Sequence, residues 1–280
     1  MRLRCLLFVP GDRPDRMEKA LSAGADALIL DLEDAVALPA KPAARAAVGA
    51  FLRRPNRPVT LFVRINPLGS GLAEGDLAAV LAGNPDGIVL PKSEGADSVS
   101  ALAAMLRGSD QTKIMPIATE TPAAIFGLGT YRGVASRLAG LTWGAEDLPA
   151  AIGAATSREE GGEFTPPYQV ARALTLFAAH AAGVPAIETV FPAFRDIEGL
   201  AAYAARGRRD GFSGMMAVHP SQVPIINAAF TPTEAERTHA RAVVAAFAGN
   251  PGAGVLELNG KMIDAPHHRQ ALTILQQADD

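Results

Sequence analysis

Eight short apolar runs, set apart by stretches of a different periodicity, restrict most strongly what this 280-residue chain can fold into. They lie at residues 4–9 (RCLLFV), 27–31 (ALILD), 60–65 (TLFVRI), 87–91 (GIVLP), 113–119 (KIMPIAT), 139–144 (AGLTWG), 185–190 (PAIETV) and 214–218 (GMMAV). Continuous apolar runs of this length read as strands covered on both faces, as in a parallel sheet. Between them apolar residues recur at helical spacing, for example Met17, Ala20, Leu21 and Ala25, or Val170, Leu174, Phe177 and Ala178. Gly24 and Gly183 stand where a helix must stop before the next strand. Repetition of this unit without a composition break or a Ser/Gly linker predicts one (β/α)8 TIM barrel over residues 1–230, in place of two doubly wound halves. Residues 231–280 are left over as a C-terminal hairpin-plus-helix extension. Thr233 and Glu236 have the spacing of a capping box, VLEL-NG-KMID reads as a hairpin with an Asn-Gly turn, and a last helix is expected over residues 266–277. The barrel closes without this segment, which must pack elsewhere.

Composition removes several classes of function. Hydrophobic residues make up 49% of the chain, ample for a buried core, and the formal net charge of −3 supplies no broad basic field for a nucleic-acid backbone. An anionic ligand must therefore meet a local basic cluster. The single cysteine, Cys5, allows neither an intrachain disulfide nor a cysteine-based zinc site, and fits a reducing compartment. Only Cys5 to Val9 are apolar before the Pro-Gly-Asp turn, too few for a signal-peptide core, and no apolar stretch of about 18 residues predicts a membrane span. A cytoplasmic location is expected.

In a barrel of this kind the loops at the carboxyl ends of the strands build the site. Those ends carry Asp12 and Arg13 after the first strand, Asp31 and Glu33 after the second, Arg64 and Asn66 after the third, and Lys92 after the fourth. Glu120 follows the fifth strand, Glu146 and Asp147 the sixth, Glu188 lies in the seventh, and His219 follows the eighth. The rim is acidic with embedded cations. In LILDLEDAVA, an apolar strand runs straight into Asp31, Glu33 and Asp34, which requires something cationic beside them. Hard oxygen donors without suitable Cys or His partners point to Mg²⁺ or Mn²⁺, and Glu120 and Asp147, each leaving a strand into a Pro-marked turn, form the natural pair. The same two residues also suit the first turn of a helix, where a carboxylate interacts with the dipole. Arg13, Arg16 and Lys19 open the first helix, either as an anion-binding cluster or as a solvated face.

The segments LLFVPGDRPDRMEKAL, ADALILDLEDAV, LFVRIN, GIVLPKSE, TETPAAI, LTWGAEDLPAAIG, GMMAVHPSQV and NGKMIDAPHHRQA, taken in order, resemble the HpcH/HpaI aldolase and citrate lyase β-subunit family, in its branch of CoA-ester lyases. The resemblance spans nearly the whole chain. It implies a barrel that holds Mg²⁺ between Glu120 and Asp147, with Arg64 contacting the substrate and Asp31 lying with Glu33 beside the metal's waters and Arg64. Asp34 is expected instead as a helix N-cap before AVALPAK. The implied chemistry is reversible carbon–carbon cleavage of a 3-hydroxyacyl-CoA ester, such as malyl-, citramalyl- or citryl-CoA, to acetyl-CoA and a 2-oxo acid. Arg13, Arg16 and Lys19 would then meet the CoA phosphates, and His219 would contact the substrate or bond a loop carbonyl. For the proton transfer the resemblance nominates Asp264, although an Asp before Ala-Pro is also a good cap for the terminal helix.

The extension that carries Asp264 implies a closed homo-oligomer, a trimer or a dimer of trimers, in which it covers a neighbour's site. Two residues depart from the family pattern: Met215 stands where a lysine is common in strand eight, and Glu188 where an aspartate is common in strand seven. Both are expected on the acyl or CoA side of the site. Competing readings are a citrate lyase β subunit acting on an acyl-carrier protein, a 2-oxo-acid aldolase without CoA, and a Schiff-base aldolase built on Lys92.

Overall fold

The computed structural model describes residues 2–106, 108–109 and 111–279. All eight apolar runs form strands: β1 Cys5–Pro10, β2 Ala27–Asp31, β3 Thr60–Arg64, β4 Gly87–Leu90, β5 Lys113–Pro116, β6 Leu141–Thr142, β7 Ala186–Glu188 and β8 Gly214–Ala217. Their order in the sheet is β5-β4-β3-β2-β1-β8-β7-β6, and every pairing is parallel. Isolated parallel bridges, Ile114 to Leu138 and Ile117 to Thr142, bring the two edges together into a nearly closed TIM barrel. Helices fill the connections. Among the described residues no helix is long and apolar enough to cross a membrane.

The two-residue period of a strand decides which side chains enter the barrel. Leu6, Ile29, Phe62, Val89, Met115, Ile117, Ile187 and Met216 meet in one interior cluster, with Phe8 and Val190 packed against it. Two residues beyond Ile29 and Phe62 on the same faces lie Asp31 and Arg64, which are register partners across β2 and β3. Glu188 follows inward-facing Ile187 and therefore turns away from the barrel interior.

The long helix Pro166–Ala182 departs from its expected face. Val170, Leu174 and Phe177 are 55%, 38% and 66% exposed. The buried side is made by Tyr168, Ala171, Thr175, Leu176, Ala178 and Ala179. The helix carries two apolar stripes, and the one rich in small side chains lies inward, where short residues let a helix approach closely. Gly183 ends it at φ +69.

Leu3–Asn227 form one compact unit, and the chain from Ala228 onward belongs to a second. In the second, Thr233 and Glu236 form the capping box of helix Glu234–Ala248. A hairpin follows, β9 Val255–Leu258 and β10 Lys261–Asp264, turning on Asn259 and Gly260 at φ +53 and +74, the conformation that makes Asn-Gly a hairpin signal. The last helix runs Ala265–Asp279. Ala240, Val243, Ile263 and Ala271 form this unit's own core.

Candidate active site at the carboxyl ends of the strands

A cavity of about 420 Å³ opens at the strand ends and is lined by Asp31, Asp34, Arg64, Glu120, Glu146 and Asp147 above apolar residues of the barrel interior. Its best-fixed side chain is Arg64. Nε and Nη2 donate to the two oxygens of Asp31 at 2.7 and 2.6 Å, Nη1 lies 2.9 Å from Glu33 and 3.5 Å from Asp34, and the guanidinium sits 4.8 Å over the Phe8 ring. Burial opposes its charge, but the bond and field of Asp31, with Glu33 and Asp34, outweigh burial and hold the guanidinium more firmly charged than usual. The acidic run after β2 thus has its cation. Asp31 also accepts the backbone N–H groups of Glu33 and Ala35, so one carboxylate shapes the turn and clamps the arginine. Asp34 does not cap a helix. The next helical segment starts only at Leu38, and the Val36 N–H, which a cap at Asp34 would serve, donates instead to the Glu33 carbonyl at 3.1 Å.

Glu120 and Asp147 line the same cavity. Glu120 is 5% exposed, and burial, reinforced by Glu33 and Asp147, pushes its carboxyl up to about 8. Thr121 caps the helix that follows, so Glu120 is free of that task. Asp147 occupies the cap position of helix Leu148–Ile152, yet its side chain makes no cap bond. Oδ2 lies instead 3.2 Å from Lys92 Nζ, which donates to Glu33 at 2.9 Å. The backbone N–H of Lys92 donates to Glu120 at 2.6 Å, a geometry reached with φ +51, left-handed for a non-glycine residue. Lys92 therefore touches three carboxylates. Burial opposes its charge, but Glu33, Glu120 and Asp147 raise its pKa, whereas burial outweighs Arg64 and Lys92 at Glu33 and raises that carboxyl.

The glycine of GAED has a steric role. A Cβ at Gly144 would stand 2.5 Å from Glu120 Cγ and 3.0 Å from its Oε1. Among the described residues no group of three or more His, Cys, Asp or Glu side chains could hold a metal ion by itself. The oxygen-only pair Glu120 and Asp147, desolvated on one side and open to the cavity on the other, suits a hard cation that keeps most of its positions for water and ligand oxygens.

Arg13, Arg16, Lys19 and His219 come together around a second cavity of about 610 Å³, between helix Pro14–Ala20 and the end of β8. Asp15 stands among them and pairs with Arg13 at 3.3 Å. Among the described residues the His219 ring bonds no loop carbonyl. Its Nδ1 lies 2.7 Å from Ser221 Oγ and accepts the Ser221 N–H, while the ring stacks on Phe194 at 4.9 Å.

Both departures from the family pattern lie off the cavity. Met215 is fully buried, and its neighbour Met216 is the residue that faces the site. Glu188 accepts from Trp143 Nε1 at 2.5 Å, from Tyr203 at 2.8 Å and from Arg172 at 2.7 Å, a closed outward network. Asp264 belongs to the C-terminal unit. There its Oδ1 lies 2.5 Å from His267 Nδ1 and accepts the His267 N–H at 3.4 Å, and the bond to His267 holds its carboxyl below the ordinary value.

Lys41 escaped the sequence reading. It is 8% exposed and donates to the carbonyls of Leu32 and Glu33 at 2.8 and 3.0 Å, and Asn66 Nδ2 donates to the Leu32 carbonyl at 3.0 Å. These bonds fix the turn that presents Glu33. A lysine in the first turn of a helix, unfavourable to the dipole, was the available signal.

A parallel barrel with a carboxylate-rich cavity at its strand ends, holding a clamped arginine and the oxygen donors Glu120 and Asp147, fits the class of TIM-barrel lyases. The chain belongs to the HpcH/HpaI aldolase/citrate lyase family, whose profile matches residues 4–220, and a profile for carbon–carbon bond lyases of the TIM-barrel fold matches residues 167–279. It is 36% identical to the citrate lyase subunit beta of Escherichia coli over 99% of this chain and 93% of that one. It is 33% identical to a (3S)-malyl-CoA thioesterase of Cereibacter sphaeroides over 99% and 94%. The crystal structure of the Mycobacterium tuberculosis protein CitE in complex with magnesium, acetoacetate and coenzyme A superimposes with a TM-score of 0.85 at 34% identity, covering 100% of this chain and 99% of that one.

Proposed function

We propose that this protein is a Mg²⁺-dependent carbon–carbon lyase that cleaves, or in reverse forms, a 3-hydroxyacyl-CoA ester of the malyl, citramalyl or citryl type, with acetyl-CoA and a 2-oxo acid as the other side of the reaction. The observation that carries this reading is one cavity lined by the clamped Arg64 and by the pair Glu120 and Asp147. Glu120 and Asp147 would hold Mg²⁺, which when bound supplies Lewis-acid polarisation of substrate oxygens; Mn²⁺ satisfies the same donors.

In the cleavage direction the 3-hydroxyl loses its proton, the bond between the hydroxyl carbon and the thioester α-carbon breaks, and its electron pair passes to the thioester enolate. The α-carbon then takes up a proton to give acetyl-CoA. Arg64 suits the enolate oxygen or the adjacent carboxylate, because Asp31 holds its fork before substrate arrives and no reorganisation is needed as charge develops. Asp31 acts through Arg64 and through the turn that it bonds. Arg13, Arg16 and Lys19, gathered at the second cavity, suit the CoA phosphates, with His219 at its rim.

Asp264 is assigned the proton transfer between hydroxyl and α-carbon, served from a neighbouring subunit of a homotrimer or hexamer. The reading includes a cytoplasmic location, in line with the buried free thiol of Cys5. The test is product analysis with malyl-, citramalyl- and citryl-CoA and Mg²⁺. A lyase releases a 2-oxo acid and acetyl-CoA without free thiol, a thioesterase releases thiol, and activity only on acyl-carrier-protein thioesters would place the chain in a multisubunit complex. For Asp264, inactive Asp264→Ala and Asp147→Ala chains should regain activity when co-assembled, and no recovery in verified mixed oligomers would assign Asp264 to its own chain or to the helix cap.

A further inference from the structure

Resting on the lyase reading above, we infer that the 2-oxo acid handled by this site carries a small uncharged side chain, a hydrogen, methyl or ethyl group, and that Met216 sets this limit. The polar rim and the apolar floor of the cavity divide the work. The floor is Phe8, Ile117, Val190 and Met216, and Ile117 and Met216 are each only 3% exposed in the interior cluster of the barrel. A carboxylate and hydroxyl of the substrate belong at the rim with the metal pair and Arg64, and the thioester arm leads past Pro10 and Val218, which line both cavities, toward the basic cluster. This leaves the floor for the remaining substituent.

A second carboxylate on that substituent, as in oxaloacetate, would meet the wrong chemistry. Arg64 is the only cationic side chain lining the cavity among the described residues, and it already faces Asp31 at 2.6 Å, Glu33 at 2.9 Å and Asp34 at 3.5 Å. Lys92 lies behind the rim with its ammonium on Glu33 and Asp147. Thr189 adds a hydroxyl to the lining, which can bond a carboxylate but cannot balance its charge. With Mg²⁺ on Glu120 and Asp147 and Arg64 on Asp31, the cations are already matched by carboxylates of the lining, and Asp34 and Glu146 are left to repel it. A buried anion without a paired cation is disfavoured far more than a methyl group against Ile117 and Met216 is favoured. Charge therefore decides between oxo acids, and the length of Met216 decides among the uncharged ones.

The test uses the full-length Mg²⁺-loaded protein in two arms. One arm measures condensation of acetyl-CoA with glyoxylate, pyruvate, 2-oxobutyrate and oxaloacetate. The other measures binding of the same acids by calorimetry without CoA. Expected are binding of pyruvate or 2-oxobutyrate ahead of oxaloacetate and, in kcat/KM, a preference of about 100-fold or more, the scale on which a site rejects a mismatched polar group. Met216→Ala should move the optimum toward longer unbranched 2-oxo acids in both arms. Pyruvate binding ahead of oxaloacetate with no condensation of any acid would sink the lyase reading and leave this inference standing. Oxaloacetate binding as well as pyruvate, or no acid binding at all, would overturn the inference whatever the wild type turns over. Because the ranking is read on the wild type, a poorly folded variant does not remove the test.

Discussion

The strand-end cavity and the cleft beside the first helix both gather cations for anions, but they hold them differently. Arg64 is fixed by Asp31, Glu33 and Asp34, with a side chain 11% exposed. Arg13 is 46% exposed and its side chain pairs, among the described residues, only with Asp15, itself 54% exposed, at 3.3 Å. An arginine clamped in a low-dielectric pocket can stabilise charge that appears only in the transition state, whereas solvent-exposed cations attract an anion that is already charged and are screened by salt. The first region should therefore govern kcat and the second KM. The sharpest way to break that division is Arg64→Lys, which keeps the charge and loses the planar fork. We expect kcat to fall by about 100- to 1,000-fold, the cost of one preorganised donor, with little change in KM. A rise in KM at constant kcat would show Arg64 acting as the exposed cluster is expected to act.

Glu120→Gln and Asp147→Asn extend the comparison to the metal pair. Calorimetry should show Mg²⁺ binding abolished in either variant, with activity lost in parallel. Unchanged binding in Asp147→Asn would assign that residue to helix Leu148–Ile152 alone. A proton count adds a finer test. Burial first, then Glu33 and Asp147, push the Glu120 carboxyl up to about 8, so the metal-free protein holds a proton there at neutral pH that cation binding must displace. Mg²⁺ affinity should fall as pH drops below about 8, and titrations in buffers of different ionisation enthalpy should report a released proton. The stability sign follows from the folded pKa lying above the unfolded value of about 4.3. The folded state binds more protons between the two, so the metal-free fold should lose stability as pH rises through about 8, and Glu120→Gln should remove that slope.

The two regions also differ in how far the sequence disclosed them. The eight strands were legible because a strand buried on both faces must be apolar throughout, and the need for a cation beside Asp31 was legible because a buried acidic run demands one, although only the family resemblance pointed to Arg64 as that cation. What escaped notice depended on direction rather than residue type. Helix Pro166–Ala182 carries two apolar stripes, and periodicity cannot tell which one faces inward. Glu188 turns outward because its strand neighbour Ile187 turns inward, a parity that a three-residue strand is too short to announce. Lys92 reads as an isolated lysine at a strand end, and its contact with three carboxylates becomes visible only when β2, β4, β5 and β6 are brought side by side.

Lys92 lies between the two regimes and predicts a change of opposite sign. Its ammonium is held by Glu33 at 2.9 Å and Asp147 at 3.2 Å, next to the pair assigned to Mg²⁺. Lys92→Gln removes a neighbouring positive charge while keeping the backbone N–H that bonds Glu120. Mg²⁺ affinity should rise by about tenfold, within the range of changes next to a metal site. A fall in affinity would mean that Lys92 orients Asp147 more than it competes with the cation.

The smallest effect is expected at the first helix, and it is the one that most sharpens the contrast. Arg13, Arg16 and Lys19 line one face of the 610 Å³ cavity, where they suit phosphates through charge rather than through a fixed fork. Each exposed pair is worth under about 1 kcal/mol, so Arg16→Gln should raise the KM for an acyl-CoA by about fivefold or less and leave kcat nearly unchanged. Added salt should weaken wild-type binding more than binding by Arg16→Gln, because the variant has less charge left to screen. The Arg64→Lys defect, by contrast, should persist at high salt, since a buried pair at 2.6 Å is poorly screened. Measuring both variants across one salt series therefore tests the division directly. If the Arg16→Gln defect lies in kcat, or if the two defects respond equally to salt, the two regions do not share the anion in the way their burial implies.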